Sequence, residues 1–173
     1  MPRFIRIAAV IAALLVPTAT VALGHEVKKG DILLTQLWSR ATPPGAKVAA
    51  GFFTIENTGS ETDRLVGITT PLGKAEVHET AIANGVSTMR PLESGVSVAA
   101  GQKVTLAPGG LHVMITELKA PLKEGEMLPL TLRFQKAGEV DATLHIRPPG
   151  ARSPGDAGAG AGSKEHEHSG MKM

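Results

Sequence analysis

The segment LHVMITEL, residues 111–118, places a histidine and a methionine two residues apart in a strand-like pattern. Side chains alternate between the two faces of a strand, so His112 and Met114 point one way while Val113 and Ile115 point the other. Imidazole nitrogen and thioether sulfur are metal ligands, whereas valine and isoleucine are typical of a core. The segment is therefore predicted to have one core-facing wall and one ligand-bearing wall.

A second histidine and methionine flank a tight turn. His78 lies in AEVHETAI and Met89 in VSTMRP, with the hairpin signal ANG between them. A loop of Asn84-Gly85 makes Met89 the partner of Thr80, whereas a loop of Ala83-Asn84 makes His78 and Met89 direct partners. Both registers put the histidine and the methionine on one face, and only an odd-length loop or a bulge would separate them.

The two pairs together offer two imidazoles and two thioethers. Thioether sulfur binds Cu(I) well and is a poor ligand for zinc, calcium or magnesium. The chain has no cysteine, which excludes thiolate metal sites and a blue-copper electron-transfer centre. The pattern predicts a copper site, chiefly for Cu(I), formed by His78, Met89, His112 and Met114.

One further histidine and one further methionine, His145 and Met127, are not predicted to bind the metal. His145 alternates with Leu144 and Ile146, so we interpret it as a solvent-face residue with no methionine near it. Met127 opens MLPLTLRF and is interpreted as an edge or core residue.

The first 24 residues have the layout of a secretory signal, with Arg3 and Arg6, an apolar run and small residues in TATVALG. The apolar run of about ten residues is shorter than the roughly 20 that span a bilayer, so no membrane span is predicted. We expect export and cleavage near residues 22–24.

The cleavage position decides the role of His25. A cut after Gly24 makes His25 the first residue, whose amine and imidazole could chelate Cu(II) as in the copper oxygenases, and a cut after Ala22 does not. Such oxygenases need an aromatic substrate-facing surface, and this chain has no tyrosine and a single tryptophan, Trp38. An accidental histidine near the cleavage site is the preferred interpretation, and no enzymatic activity is predicted.

The mature chain is formally neutral. Lys and Arg number 18 and Asp and Glu 16, so loss of Arg3 and Arg6 leaves 16 of each sign. This balance argues against binding to nucleic acid or to an anionic membrane.

From Asp31 to about Arg147 the sequence reads as short apolar or β-branched segments separated by turns such as TPPGA, NTGSE, APGG and KAGE. Regular turns with no long helical stretch predict an all-β sandwich of roughly eight or nine strands. The expected strands are ILLTQLWSR, KVAAGFFTIEN, DRLVGIT, KAEVHETAI, VSTMR, QKVTL, LHVMITEL, LPLTLRF and VDATLHIR.

After residue 147 the composition changes to glycine, alanine, proline and serine, which predicts a disordered tail. The predicted organisation is a signal peptide (1–24), a β-sandwich domain (25–147) and a flexible tail (148–173). The tail ends in HEHSGMKM, whose imidazoles and carboxylates suit Cu(II) and whose sulfurs suit Cu(I). We therefore expect an auxiliary copper arm formed by His166, His168, Met171 and Met173.

The order His78, ten residues, Met89, twenty-two residues, then His112-x-Met114 resembles the PCuAC family of periplasmic copper chaperones. WSRATPPGAKVAAGFFTIENTG and PLKEGEMLPLTLRFQKAGEV carry the resemblance as well, which covers about residues 29 to 147. The second gap is one residue longer than in the family pattern, and APGG can absorb it.

The resemblance implies a cupredoxin-like, Greek-key β-sandwich in the periplasm that binds Cu(I) through those four side chains. It also implies a role in assembling the copper centre of cytochrome c oxidase, with oxidase subunit II or a Sco-type protein as partner. A chaperone must release its ion by ligand exchange, so a shallow, exposed site is expected. Two alternatives stay open, namely copper storage or resistance without a dedicated acceptor, and an interaction β-sandwich whose ligand-like residues are incidental.

Overall fold

The computed structural model describes residues 26–156, so His25 and the tail residues His166, His168, Met171 and Met173 lie outside the described residues. Within residues 26–156 the chain forms eleven strands and no helix. The strands are β1 (Val27–Lys29), β2 (Ile32–Arg40), β3 (Ala49–Asn57), β4 (Asp63–Thr70), β5 (Gly73–Ala83), β6 (Val86–Pro91), β7 (Val96–Val98), β8 (Lys103–Leu106), β9 (Leu111–Thr116), β10 (Met127–Phe134) and β11 (Gly138–Arg147).

The all-β prediction is confirmed, and each strand segment expected from the sequence corresponds to an observed strand. The two strands that were not expected, β1 and β7, have three residues each. Such short segments carry too few residues for alternation to be recognised. In the part of the chain that the structure describes, no helix is long and apolar enough to cross a membrane.

The strands form one hydrogen-bonded ladder that closes on itself. The order runs β2, β11, β10, β4, β5, β9, β3, and β3 pairs with β2 again. The β11–β2 pairing is parallel, whereas the others along this path are antiparallel. The remaining strands are attached at the sides, with β1 on β2, β6 on β5, β7 on β4 and β8 on β3.

Strand β5 is central to the candidate site because it is long enough to pair with three other strands. Its first residues pair with β4, residues Lys74–Glu79 pair with β9, and His78–Ala83 pair with β6. At His78 the strand therefore has β6 on one edge and β9 on the other. The β5–β6 hairpin and strand β9, which is distant in the sequence, thus lie side by side.

The apolar core fills the interior of the closed ladder. On β5 and β9, Val77, Val113 and Ile115 face inward and are at most 8% exposed. Burying a side chain of this size contributes roughly 1.5–3 kcal/mol, which fixes which face of each strand points outward. The alternate positions of the same strands, including His78 and His112, consequently lie on the outer face.

The packed part of the chain extends past the domain end predicted at residue 147. Ala151 is only 3% exposed and packs against Trp38 and Phe52 in a second apolar cluster. Nε of Arg40 donates a 2.7 Å hydrogen bond to the carbonyl oxygen of Ala151, and its guanidinium carbon lies 5.8 Å from the Trp38 ring centroid. Residues 148–156, which we call the C-terminal strap, are therefore docked rather than part of a disordered tail.

A local turn ends the strap. The Asp156 carboxylate accepts hydrogen bonds from the backbone N–H groups of Arg152 and Ser153 and from the Ser153 hydroxyl. These donors, chiefly the Arg152 N–H, hold the pKa of Asp156 below its usual value. Proline and glycine after residue 147 indicated an unstructured segment, but the buried Ala151 and these side-chain hydrogen bonds order it.

Candidate metal site

His78 and His112 are direct partners in the antiparallel ladder between β5 and β9. Their ring centroids are 6.1 Å apart, with an angle of 45° between the ring planes. Directly opposed residues project to the same face of a sheet. Two imidazoles from distant parts of the sequence therefore lie side by side on the outer face.

Met114 lies on the same face, two residues after His112 on β9. Its cross-strand partner is Glu76, and its side chain is half-buried. The residues on either side of it, Val113 and Ile115, are fully buried in the core. The division into a core wall and an outer wall is thus as predicted within β9, and it ends with that strand, because Leu118 is buried in the core while Glu117 is exposed.

Met89 reaches this face through the β5–β6 hairpin. Ala83 pairs with Val86, so the loop is Asn84-Gly85, and both loop residues have positive φ, at 51° and 77°. Positive φ at both central residues is typical of a type I′ hairpin turn. Met89 is opposite Thr80, the first of the two registers considered, and is 60% exposed.

The two imidazoles have different surroundings. Nδ1 of His112 is 3.0 Å from the carbonyl oxygen of Gly110. Nδ1 of His78 is buried and has no hydrogen-bond partner among the described residues, whereas its Nε2 lies 3.5 Å from Oε2 of Glu76. A buried nitrogen without a partner is uncommon in native proteins and points to a ligand or an ion.

The expected shallow and exposed site is only partly observed. The side chain of His78 is 14% exposed and His112 is 7% exposed, so both imidazoles are recessed. Met89 is the exposed ligand candidate of the four. The arrangement is a recessed pair of imidazoles on a face that also carries the exposed Met89 side chain.

The donors on this face favour a soft ion. Across residues 26–156 there is no group of three or more histidines, cysteines or carboxylates that could hold a metal. Beside His78 and His112, this face also carries the sulfurs of the two methionines. Imidazole nitrogen binds both copper and zinc, whereas thioether sulfur favours Cu(I) and is a poor ligand for hard ions, so the sulfurs set the preference.

The interpretation that His145 has no methionine near it is wrong, because Met127 is its direct partner in the β10–β11 ladder. His145 also pairs with Trp38 across the parallel β11–β2 ladder. Met127 is 56% exposed and is the first residue of β10, so it is an edge residue and not a core residue. Trp38, the single tryptophan weighed in the oxygenase alternative, is 3% exposed.

Sequence reasoning did not identify Glu76 or Gly110 as neighbours of the histidines. Glu76 is two residues before His78, so strand periodicity alone places it on the same face. Gly110 could not be found in this way, because its contact depends on the path of the loop before β9.

The fold is that of the PCuAC domains. The structure resembles the apo PCuAC domain of PmoF1, with 34% identity and a TM-score of 0.61, over 72% of this chain and 100% of that domain. It also resembles the copper-bound PCuAC domain of PmoF2, with 28% identity and a TM-score of 0.61, over 72% of this chain and 99% of that domain.

The chain belongs to the LpqE-like family, because the family model described as "Putative lipoprotein LpqE-like" matches residues 32–146. A relative from Leifsonia xyli subsp. xyli (strain CTCB07), named "Putative lipoprotein Lxx21020", is 36% identical over 122 residues. That alignment covers 69% of this chain and 72% of the relative.

Proposed function

We propose that this protein is a periplasmic copper chaperone that binds Cu(I) through His78, Met89, His112 and Met114. The observation that carries the proposal is the direct cross-strand pairing of His78 with His112 on the face that also holds both methionines. The likeness to a copper-bound PCuAC domain supports the choice of metal.

The ligand chemistry suits transfer rather than permanent binding. All four side chains are neutral donors, and thioether sulfur forms weaker and more exchangeable bonds to Cu(I) than thiolate does. Met89 is the most exposed of the four, so an incoming ligand from an acceptor reaches the copper on its side. Exchange is expected to begin with displacement of Met89, while the recessed imidazoles hold the ion.

The proposed destination is the copper centre of cytochrome c oxidase, reached through oxidase subunit II or a Sco-type protein. This part of the proposal rests on the PCuAC resemblance. Export to the periplasm agrees with the signal-like residues 1–24 and with the lipoprotein names of the family model and of the Leifsonia xyli relative. Cysteine is absent from the 173 residues, so a lipid linked through cysteine sulfur has no attachment point within them.

The tail is proposed as an auxiliary Cu(II) arm, with His166 and His168 as its nitrogen ligands. Residues Arg152–Pro154 of the C-terminal strap line a cavity of about 230 Å³ together with Ala107 and Pro108. The loop that contains these two residues leads directly into β9 and His112. The arm therefore starts beside the loop that precedes the strand of His112.

The proposal requires the arm to reach the core site. A glycine-rich chain that is flexible spans about 5–6 Å times the square root of its length, or roughly 16–19 Å for ten residues, the separation of Asp156 and His166 in the sequence. Met171 and Met173 follow further along the chain and would add sulfur ligands. We propose that copper captured by the arm passes to the core site on the same molecule.

Anaerobic titration with Cu(I) against a chromogenic cuprous chelator tests the core proposal. One equivalent retained by residues 25–156 is the expected result, and no stoichiometric binding supports the interaction-domain alternative. Transfer of the bound ion to a purified oxidase subunit II domain then tests delivery. Binding without transfer to that domain or to a Sco-type protein supports storage or resistance.

A further inference from the structure

The two histidines of the site have different neighbours at their ring nitrogens. From these neighbours we can assign which nitrogen of each ring binds the metal. We infer that Cu(I) is bound by Nδ1 of His78 and by Nε2 of His112, and that Glu76 is the residue that positions His78. The inference rests on the proposed function and adds a residue and an atom assignment to it.

The assignment of His112 follows from its hydrogen bond. The carbonyl oxygen of Gly110, 3.0 Å from Nδ1, can only accept, so the neutral ring carries its proton on Nδ1. The same carbonyl accepts the backbone N–H of Thr80 at 3.2 Å, which ties the loop to β5. The Gly110 carbonyl, held in place by β5, therefore fixes the tautomer of His112. The lone pair on Nε2 is then available to a metal.

In His78 it is Nε2, and not Nδ1, that lies near an acceptor. Its Nδ1 is buried and has no hydrogen-bond partner within residues 26–156. Its Nε2 lies 3.5 Å from Oε2 of Glu76, and a carboxylate oxygen can only accept. The proton is thus favoured on Nε2, and the buried lone pair on Nδ1 is satisfied when copper takes it.

Glu76 is placed to act on the site without binding the ion. It precedes His78 by two residues on β5 and faces Met114 across the β5–β9 ladder, so it shares the outer face with two proposed ligands. Metal-binding histidines commonly donate their second N–H to a carboxylate, which fixes the ring and raises its basicity. The negative charge of Glu76 also favours a cation bound by four neutral side chains.

The neighbouring carboxylate provides a matched control. Glu79 lies on the same strand, is paired with Arg90 at 3.2 Å, and alternates to the other side of β5 from Glu76 and His78. Changing Glu79 removes a similar charge a short distance away without touching the His78 ring.

Long-range ¹H–¹⁵N correlation spectra of ¹⁵N-histidine-labelled protein test the inference. In the metal-free protein we expect His78 as the Nε2–H tautomer and His112 as the Nδ1–H tautomer. Cu(I) should then shift the resonances of His78 Nδ1 and His112 Nε2. In E76A, His78 should become a mixture of tautomers and Cu(I) affinity should fall about 10–100-fold.

E76Q should restore part of the tautomer preference, because the amide keeps an acceptor oxygen near Nε2 of His78, and E79Q should resemble the parent in both measurements. Thermal unfolding of each variant verifies that the fold is kept. Ligation of His78 through Nε2, or an E76A variant with the parent tautomer and affinity, overturns the inference while leaving the copper site in place. Absence of any Cu(I)-dependent histidine shift in the parent overturns the proposed function instead.

Discussion

His78 and His112 face each other across the β5–β9 ladder with ring centroids 6.1 Å apart, although β6, β7 and β8 intervene between them in the sequence. The pairing makes the site depend on a non-local strand alignment. The hairpin then adds Met89 from the other edge of β5. Changes to the ligands and changes to the strand alignment should therefore have separable effects on copper binding and stability.

Replacing Met89 or Met114 with leucine should weaken Cu(I) binding by at least about tenfold, or roughly 1.4 kcal/mol, because a soft ligand is lost. Leucine is close to methionine in volume, so the free energy of unfolding should change by less than about 1.5 kcal/mol. Competition with a cuprous chelator measures the affinity, and denaturant unfolding measures the stability.

Met127→Leu is the matched control for these two variants, since Met127 is 56% exposed and lies on β10 away from the candidate site. It should retain the parent Cu(I) affinity. Parent affinity in both M89L and M114L would show that the four-residue site is wrong. Unfolding of either variant would instead show that the methionine serves the packing of the domain.

Metal choice should follow ligand softness. Zinc is expected to compete poorly with Cu(I), because two thioethers are weak ligands for zinc. Competition titrations of Cu(I)-loaded protein with zinc measure the preference, and a preference for zinc would contradict the soft-site assignment.

The strand segments and the hairpin faces could be predicted because both follow from local alternation and turn residues. The pairing of His78 with His112 could not, because nothing local selects β9 as the neighbour of β5. The pairing of Met127 with His145 was missed for a related reason: the KAGE turn alone did not reveal the register of β10 and β11. The docking of Ala151 onto Trp38 and Phe52 was hidden by a composition typical of linkers.

The strand alignment itself can be tested at Gly73, the first residue of β5. A Cβ at this position would lie 2.4 Å from the backbone carbonyl oxygen of Thr116 at the end of β9. Backbone cannot move aside cheaply, so Gly73→Ala should destabilise the domain by about 1–3 kcal/mol and shift β5 against β9. A weaker Cu(I) affinity should accompany the loss of stability.

Gly67→Ala is the control for this variant. Its Cβ would meet only the guanidinium of Arg133, at 3.2 Å, which is the far end of a flexible side chain. Denaturant unfolding should show little change for G67A and a clear loss for G73A. Equal stability of G73A and the parent would contradict the close approach of β5 and β9 at this point.

Two truncations should distinguish the contribution of the copper arm to Cu(II) binding from the contribution of the C-terminal strap to stability. A chain ending at Asp156 loses His166, His168, Met171 and Met173 but keeps the contacts of Ala151 with Trp38 and Phe52. It should lose a Cu(II) binding event while retaining Cu(I) binding at the core site. A chain ending at Gly150 also uncovers Trp38 and removes the acceptor of Arg40, so it should be destabilised by about 1–3 kcal/mol.

Trp38 is the single tryptophan of the chain, so its fluorescence reports whether the C-terminal strap covers it. The emission maximum should move to longer wavelength in the chain ending at Gly150 and stay unchanged in the chain ending at Asp156. Cu(II) titration of the two truncated chains and the full chain completes the comparison. Equal Cu(II) uptake by the full chain and the Asp156 truncation would rule out the arm, whereas loss of Cu(I) binding in that truncation would place the tail in the primary site.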